Sequence, residues 1–168
     1  MHGDGDDLLR LHEERVRPEW IDANGHMNVA YYVLAFDNAT DTVFNHLGIG
    51  TAHRQRTSQA VFVLEAHVTY ERELKAGDPM RFTTQLLGVD QKRLHFFHAM
   101  YHAEAGFLAA TNEVLGLHVD LLQRRSQPFP EPALGRLRQL ADRHARLPRP
   151  PQAGRVIALK KPGIGTAA

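Results

Sequence analysis

Between Val29 and Leu47 the chain carries one long run with helical spacing, and most of the sequence from Ala60 to Leu121 alternates as strands do. Counting Thr40, apolar side chains fall at 29, 32, 33, 36, 40, 43, 44 and 47, the offsets of one helix face. Asp37, Asn38, Asp41 and Asn45 mark the wet face, and Gly48 and Gly50 supply a stop. A single helix with one apolar stripe cannot bury it alone. It needs the apolar face of the downstream sheet, which predicts an α+β fold: an antiparallel sheet wrapped around one long central helix.

The flanking elements fit that plan. Residues 10–21 alternate enough for a strand, with Pro18 confining its end to an edge or bulge. Residues 22–28 and 51–59 read as polar loops. Phe62, Leu64, Ala66, Val68 and Tyr70 share one face of a strand running from Ala60 to about Leu74. Further strands over 79–89, 92–103 and 107–121, with turns at Lys75–Asp78, Asp90–Gln91 and Ala103–Gly106, predict an antiparallel meander. Pro128, Pro130 and Pro132 then break the chain before an extra C-terminal helix, basic in character, from about Ala133 to Leu147. The expected organisation is a flexible arm over 1–9, one domain over 10–147, and a Pro- and Gly-rich tail over 148–168, loose apart from Val156–Leu159.

Composition removes several function classes. Formal net charge is +1, so no global field draws the chain to nucleic acid. No apolar run nears the ~18 residues of a membrane span. The acidic, Gly-rich start lacks the basic and apolar regions of a signal peptide, so a cytoplasmic protein is expected. Cysteine is absent, which rules out disulfides, thiolate nucleophiles and Cys-based zinc sites. Ser58 and Ser126 are the only serines, and neither lies in G-x-S-x-G. His98 and His102 share a strand face, but four strand residues separate them by ~13 Å. No H-E-x-x-H exists either, so no catalytic metal is expected.

Chemistry concentrates just before the long helix. Asp22, Asn24, His26 and Asn28 place a carboxylate, two carboxamides and an imidazole within seven residues. The first turn's N–H groups lack helical partners and sit at the positive end of the dipole, so such a site can polarise a carbonyl. Each residue also has a plainer reading. Asp22 can close an Asx-turn onto Asn24, and Asn24-Gly25 can be a turn dipeptide. His26 suits proton transfer near neutral pH or fills space. Asn28 stands where an N-cap belongs. Tyr32 joins the core stripe, while Tyr31 faces a pocket or a partner subunit. Glu65 interrupts an apolar strand and lies with His67 and Thr69, either on a solvated face or at a site shared with a neighbour.

The stretch Asp22-x-Asn24-x-His26-x-Asn28-x-x-Tyr31 resembles that of hotdog-fold thioesterases of the 4-hydroxybenzoyl-CoA and acyl-ACP types. Tyr70 with Gly77-Asp78, and Asp120 with Arg124-Arg125 and Pro128-Phe129-Pro130, extend the likeness over about residues 12–132. The resemblance implies a hotdog fold and hydrolysis of a small or medium acyl-CoA to free acid and CoA. The alternatives are cleavage of acyl-ACP, or a non-catalytic acyl-CoA-binding module. It implies Asp22, His26 and Asn24 as catalytic residues, with Asp22 acting directly or through a water. Asn28, Val29, Tyr31 and Glu65 would meet substrate, the N–H near Val29 taking the carbonyl oxygen. No cofactor is implied, because CoA is part of the substrate. A homodimer or dimer of dimers is expected, since hotdog sites lie between paired subunits.

More narrowly, Trp20-Ile21-Asp22-x-Asn24-Gly25-His26-Met27-Asn28 with Leu64-Glu65-x-His67-Val68-x-Tyr70 looks like thioesterases of carnitine and betainyl-CoA breakdown. A betainyl group wants an aromatic and carboxylate cage, for which Trp20, Tyr31, Tyr32 and Glu65 are candidates. Arg54, Arg56, Lys75, Lys92, Arg93, Arg124 and Arg125 either meet CoA phosphates or are solvated charges. The helix carrying Arg136, Arg138, Arg143 and Arg146 is expected to pack its leucines on the sheet rim rather than bind nucleic acid.

Overall fold

A computed structural model describes residues 7–159. In chain order it contains β1 (Glu13–Arg15), a 3-10 turn (Pro18–Trp20), α1 (Val29–Leu47), α2 (Thr51–Thr57), β2 (Gln59–Tyr70), β3 (Pro79–Val89), β4 (Arg93–His102), β5 (Leu108–Asp120), β6 (Arg125–Ser126) and α3 (Glu131–His144). The six strands form one sheet in the order β1-β3-β4-β5-β2, with β6 paired to β5. All pairings are antiparallel. This is the hotdog arrangement, a curled antiparallel sheet around a central helix.

The expected helix and its ends are present. Asn28 caps α1 by accepting the Ala30 N–H at 3.0 Å, and Gly48 ends it in the left-handed region at φ 75°. Tyr32, Ala35, Phe36, Ala39, Thr40, Val43, Phe44 and Leu47 are buried. Each fully buried large apolar side chain contributes about 1.5–3 kcal/mol of transfer free energy. Val29 and Val33, read as part of the stripe, are instead exposed, as is Leu34. Val29 and Val33 lie on the flank that turns away from β1, whose Glu14 and neighbouring His12 hold the other flank through Asn38 and Thr42.

Several expected elements are corrected. The meander holds only for β3, β4 and β5. The segment after Tyr70 carries the chain from one sheet edge to the other, so β2 pairs with β5 and not with β3. The single face proposed for Phe62, Leu64, Ala66, Val68 and Tyr70 is broken by a bulge between Val63 and Glu65. One extra residue shifts the period-two pattern. Phe62 therefore pairs with Leu117, whereas Val68 lies across from Asn112. The strand expected over 10–21 shrinks to three residues because Pro18 starts a 3-10 turn. The loop expected over 51–59 contains α2, closed by Thr57 Oγ1 donating to the His53 carbonyl. The Asp90–Gln91 turn works without glycine because Asp90 accepts from the N–H groups of both Lys92 and Arg93.

At the chain ends, Leu9 bridges Thr84 within the arm expected over 1–9. Gly154 donates to Glu113 within the tail. No strand or helix forms over 156–159. Helix α3 packs Leu134, Leu137 and Leu140 into the core, and Arg136 donates twice at 3.1 Å to the Leu47 carbonyl, capping the end of α1. The far edge of the sheet is β2, a twelve-residue strand whose outer edge meets no other strand among the described residues. Phe62, Val63 and Leu64 along it are each 54% exposed. Among the described residues no helix is long and apolar enough to cross a membrane.

Candidate active site

The loop before α1 folds back on itself. Ile21 and Met27 form a bridge, Asp22 N–H donates to the His26 carbonyl at 3.0 Å, and Gly25 N–H returns to Asp22 O at 3.0 Å. Gly25 sits at φ 80° with open space where a Cβ would point, so glycine is needed there for conformation alone. Asn28 N–H donates to Trp20 O and Met27 N–H to Leu74 O, which ties both sides of the loop to the body. The functional groups thus stand on a fixed turn at the helix start.

Asp22 adopts the Asx-turn, with Oδ1 accepting the Asn24 N–H at 2.8 Å. Its Oδ2 has no hydrogen-bond partner among the described residues, so the turn and an acting carboxylate coexist. Asn24 is exposed and bonded through its backbone. His26 is partly buried, and its Nε2 lies 2.8 Å from Glu73 Oε2. Asn28 is the cap, which commits its side-chain oxygen to Ala30. The neighbouring Val29 N–H, at the first helical position, has no acceptor among the described residues. It is an unpaired donor at the positive end of a nineteen-residue helix.

Two groups escaped the reading of the sequence. Glu73 lies just beyond β2 within a charged stretch, and nothing local marks it as the partner of His26. Tyr70 places its hydroxyl 3.3 Å from the Val29 carbonyl, donating to it, with its ring half exposed beside the helix start. Partial burial raises the Tyr70 hydroxyl pKa, keeping it a donor at neutral pH.

The candidate cage does not assemble within one chain. Trp20 is buried, stacked on Tyr31 at 5.5 Å with Arg17 5.1 Å from its ring, so both neighbours compete for its faces. Tyr32 is in the core, where its hydroxyl accepts the Leu74 N–H. Glu65 is exposed on the outer sheet face. It lines a cavity of about 420 Å³ with His67, His95 and Glu113, roofed by Gly154–Val156, and the structure does not bring it to the loop of its own chain. Both ring nitrogens of His98 are engaged by threonine hydroxyls. Its Nε2 meets Thr40 Oγ1 at 2.9 Å and its Nδ1 meets Thr84 Oγ1 at 2.8 Å.

Residues 16–137 match the model of the thioesterase-like superfamily. The chain belongs to that superfamily. It is 42% identical over 152 residues to a betainyl-CoA thioesterase of Pseudomonas aeruginosa, covering 90% of this chain and 96% of that one. It is 34% identical over 153 residues to an L-carnitine dehydrogenase/betainyl-CoA thioesterase of Rhizobium meliloti, covering 91% of this chain and 31% of that longer protein. Among solved structures, a Staphylococcus aureus protein determined in complex with CoA superposes with TM-score 0.83 at 30% identity, over 94% of this chain and all of that one. A thioesterase-type protein of Pseudomonas putida gives TM-score 0.79 at 34% identity, over 94% and 100%. With these relatives, the chain is a hydrolase of acyl-CoA thioesters.

Proposed function

We propose that this thioesterase acts on a small cationic acyl-CoA, betainyl-CoA or a near analogue, in the cytoplasm and as a homodimer. The observation that carries the reading is the Asp22–His26 turn set against the unpaired Val29 N–H, in a chain so similar to a betainyl-CoA thioesterase. The Val29 N–H receives the thioester carbonyl oxygen and stabilises the oxyanion as it forms. A water held by the free oxygen of Asp22 loses its proton to that carboxylate and bonds to the carbonyl carbon. The carbon–sulfur bond then breaks, and the thiolate leaves with little need of an acid. His26, steadied by Glu73, orients the water or carries the proton onward. Free acid and CoA are the products, and no cofactor is required.

Tyr70, with its half-exposed ring beside Val29, takes the trimethylammonium group through cation–π contact in place of the unassembled cage. The dimer is inferred from β2. An unpaired edge strand with exposed apolar side chains invites strand pairing. A second copy running antiparallel covers Phe62, Val63 and Leu64 together with the exposed flank of α1 at Val29 and Val33.

The test is CoA release from betainyl-, acetyl-, benzoyl- and decanoyl-CoA, read with a thiol reagent to which a protein without cysteine contributes nothing. The expected result is the highest kcat/KM on betainyl-CoA. Equal or better turnover of the neutral short esters would remove the cationic substrate.

A further inference from the structure

The strand register sets one row of side chains on the sheet face turned away from α1. Gln85, Phe97, Glu113 and His67 lie side by side across β3, β4, β5 and β2. The neighbouring row, Thr84, His98, Asn112 and Val68, faces the helix, where His98 meets Thr40. Beyond α3 the chain returns along the outer row as a strap. Gln85 Nε2 donates to the Pro148 carbonyl at 3.4 Å, Arg149 lies 3.8 Å from Glu113 Oε1, and the Gly154 N–H donates to Glu113 Oε2 at 2.6 Å. Arg155 then stands 3.9 Å from Glu71, the first residue past β2.

Polar ties hold this end of the strap. Gly154–Val156 roof the cavity of about 420 Å³ rather than packing onto the sheet, and Val156 is exposed. Glu113 is the anchor. Burial opposes its charge, but the Gly154 N–H, His95 and Arg149 outweigh that and hold its pKa below the ordinary carboxylate value. A hydrogen bond from a backbone N–H to an ionised carboxylate is among the stronger kinds. The reaction itself uses none of these groups.

The strap ends on the segment that serves the active site. Glu71 Oε1 accepts from Thr69 Oγ1 at 3.0 Å, and Thr69 meets Thr111 Oγ1 at 2.6 Å. The N–H groups of Glu71 and Arg72 share the Ala109 carbonyl, and the Leu74 N–H is fixed by the Tyr32 hydroxyl. Glu73 sits between these two anchored points, with its Oε2 2.8 Å from His26 Nε2. A contact that short weakens as its atoms part, so a small displacement of Glu71 misplaces the imidazole.

We infer that the strap over 148–155 braces the active site from behind the sheet: Glu113 anchors it, Arg155 grips Glu71, and Glu73 is thereby held against His26. Arg155 and Glu113 are positioning residues for thioester hydrolysis. This rests on the proposed role of Glu73 in steadying His26.

Steady-state kinetics on the ester that turns over fastest tests the brace. Arg155 is half-exposed, so Arg155→Ala should fold and melt as wild type does. Its kcat should fall about three- to fivefold, as much as one exposed ion pair can carry, with KM unchanged. Arg155→Lys keeps the charge and should stay near wild type. Glu113→Leu removes both acceptor oxygens at similar volume and should lose at least as much kcat as Arg155→Ala. The decisive comparison uses Glu73→Gln, in which the positioned contact is already weakened. In that background Arg155→Ala should cost nothing further. Wild-type kcat in Arg155→Ala or in Glu113→Leu would overturn the brace, and so would a full additional loss in the Glu73→Gln background. A Glu73→Gln enzyme with wild-type kcat would instead remove the Glu73–His26 reading, and this inference with it.

Discussion

His26 Nε2 and Glu73 Oε2 stand 2.8 Å apart, joining the loop before α1 to the segment that leaves β2. Two thirds of the Glu73 side chain is open to water, so the pair adds little to stability. Its effect is orientation, since a carboxylate on one ring nitrogen fixes the imidazole plane and leaves Nδ1 for other work. Glu73→Gln should lower kcat about tenfold with KM little changed, and His26→Ala should lower it further. The double variant should be no slower than His26→Ala alone, as expected for residues acting as a unit. Independent, multiplying losses in steady-state kinetics would show that Glu73 acts without His26.

Asp22 offers a sharper distinction because its two roles use different atoms. Its Oδ1 holds the turn and its second oxygen is free. Asparagine keeps an oxygen that can accept the Asn24 N–H, so Asp22→Asn should leave the fold and melting temperature as they are. It cannot take a proton, and kcat should fall by about 10²-fold or more. Asp22→Ala should lose the same activity and some stability besides. An Asp22→Asn enzyme with wild-type kcat would reduce Asp22 to a turn residue.

Much of this was readable in the sequence because it is local. The ends of α1 follow from Asn28 and Gly48, and the chemistry of the loop from residue types within seven positions. The features that escaped it depend on distant pairing. The bulge at Val63–Glu65, invisible in an alternating pattern, moves Phe62 to the other face. The transfer of β2 to the far edge is set by closure of the sheet around α1, and local spacing carries no record of it. Val29 and Val33 satisfied the helical period yet point to a flank with no covering element in one chain. Glu73 reached the site only through the chain crossing after Tyr70.

That open flank gives a prediction on assembly. Leu64 is exposed in one chain, so Leu64→Lys should change the stability of a single subunit by no more than about 0.5 kcal/mol. In a paired edge the two lysines would approach across the symmetry axis and lose water. Sedimentation should therefore show monomer where wild type shows dimer, and acyl-CoA hydrolysis should fall more than tenfold. A monomeric Leu64→Lys protein with full activity would make each chain a complete site.

Acid stability should be governed by histidines that fold in the neutral state. Burial, with a smaller contribution from His12, pushes the His98 pKa down to about 3 from its ordinary 6.5. Its two threonine partners explain how the neutral ring is held. Thr40 Oγ1 donates to the Phe36 carbonyl and so accepts from His98 Nε2–H, leaving Nδ1 to accept from Thr84. Burial also lowers His53 and His118, which share a 3.1 Å Nε2–Nε2 contact, and His144. For a base with a lowered folded-state pKa, stability is complete above the unfolded value. It declines as pH falls below ~6.5, because only the unfolded chain takes up the proton. At pH 5, His98 alone should cost about 2 kcal/mol, and the decline should continue toward pH 3. Urea unfolding of wild type and His98→Gln at pH 7.5 and pH 5 measures it, and the variant should lose about 2 kcal/mol less between those values. Equal losses in the two proteins would mean that His98 is protonated in the folded chain despite its burial.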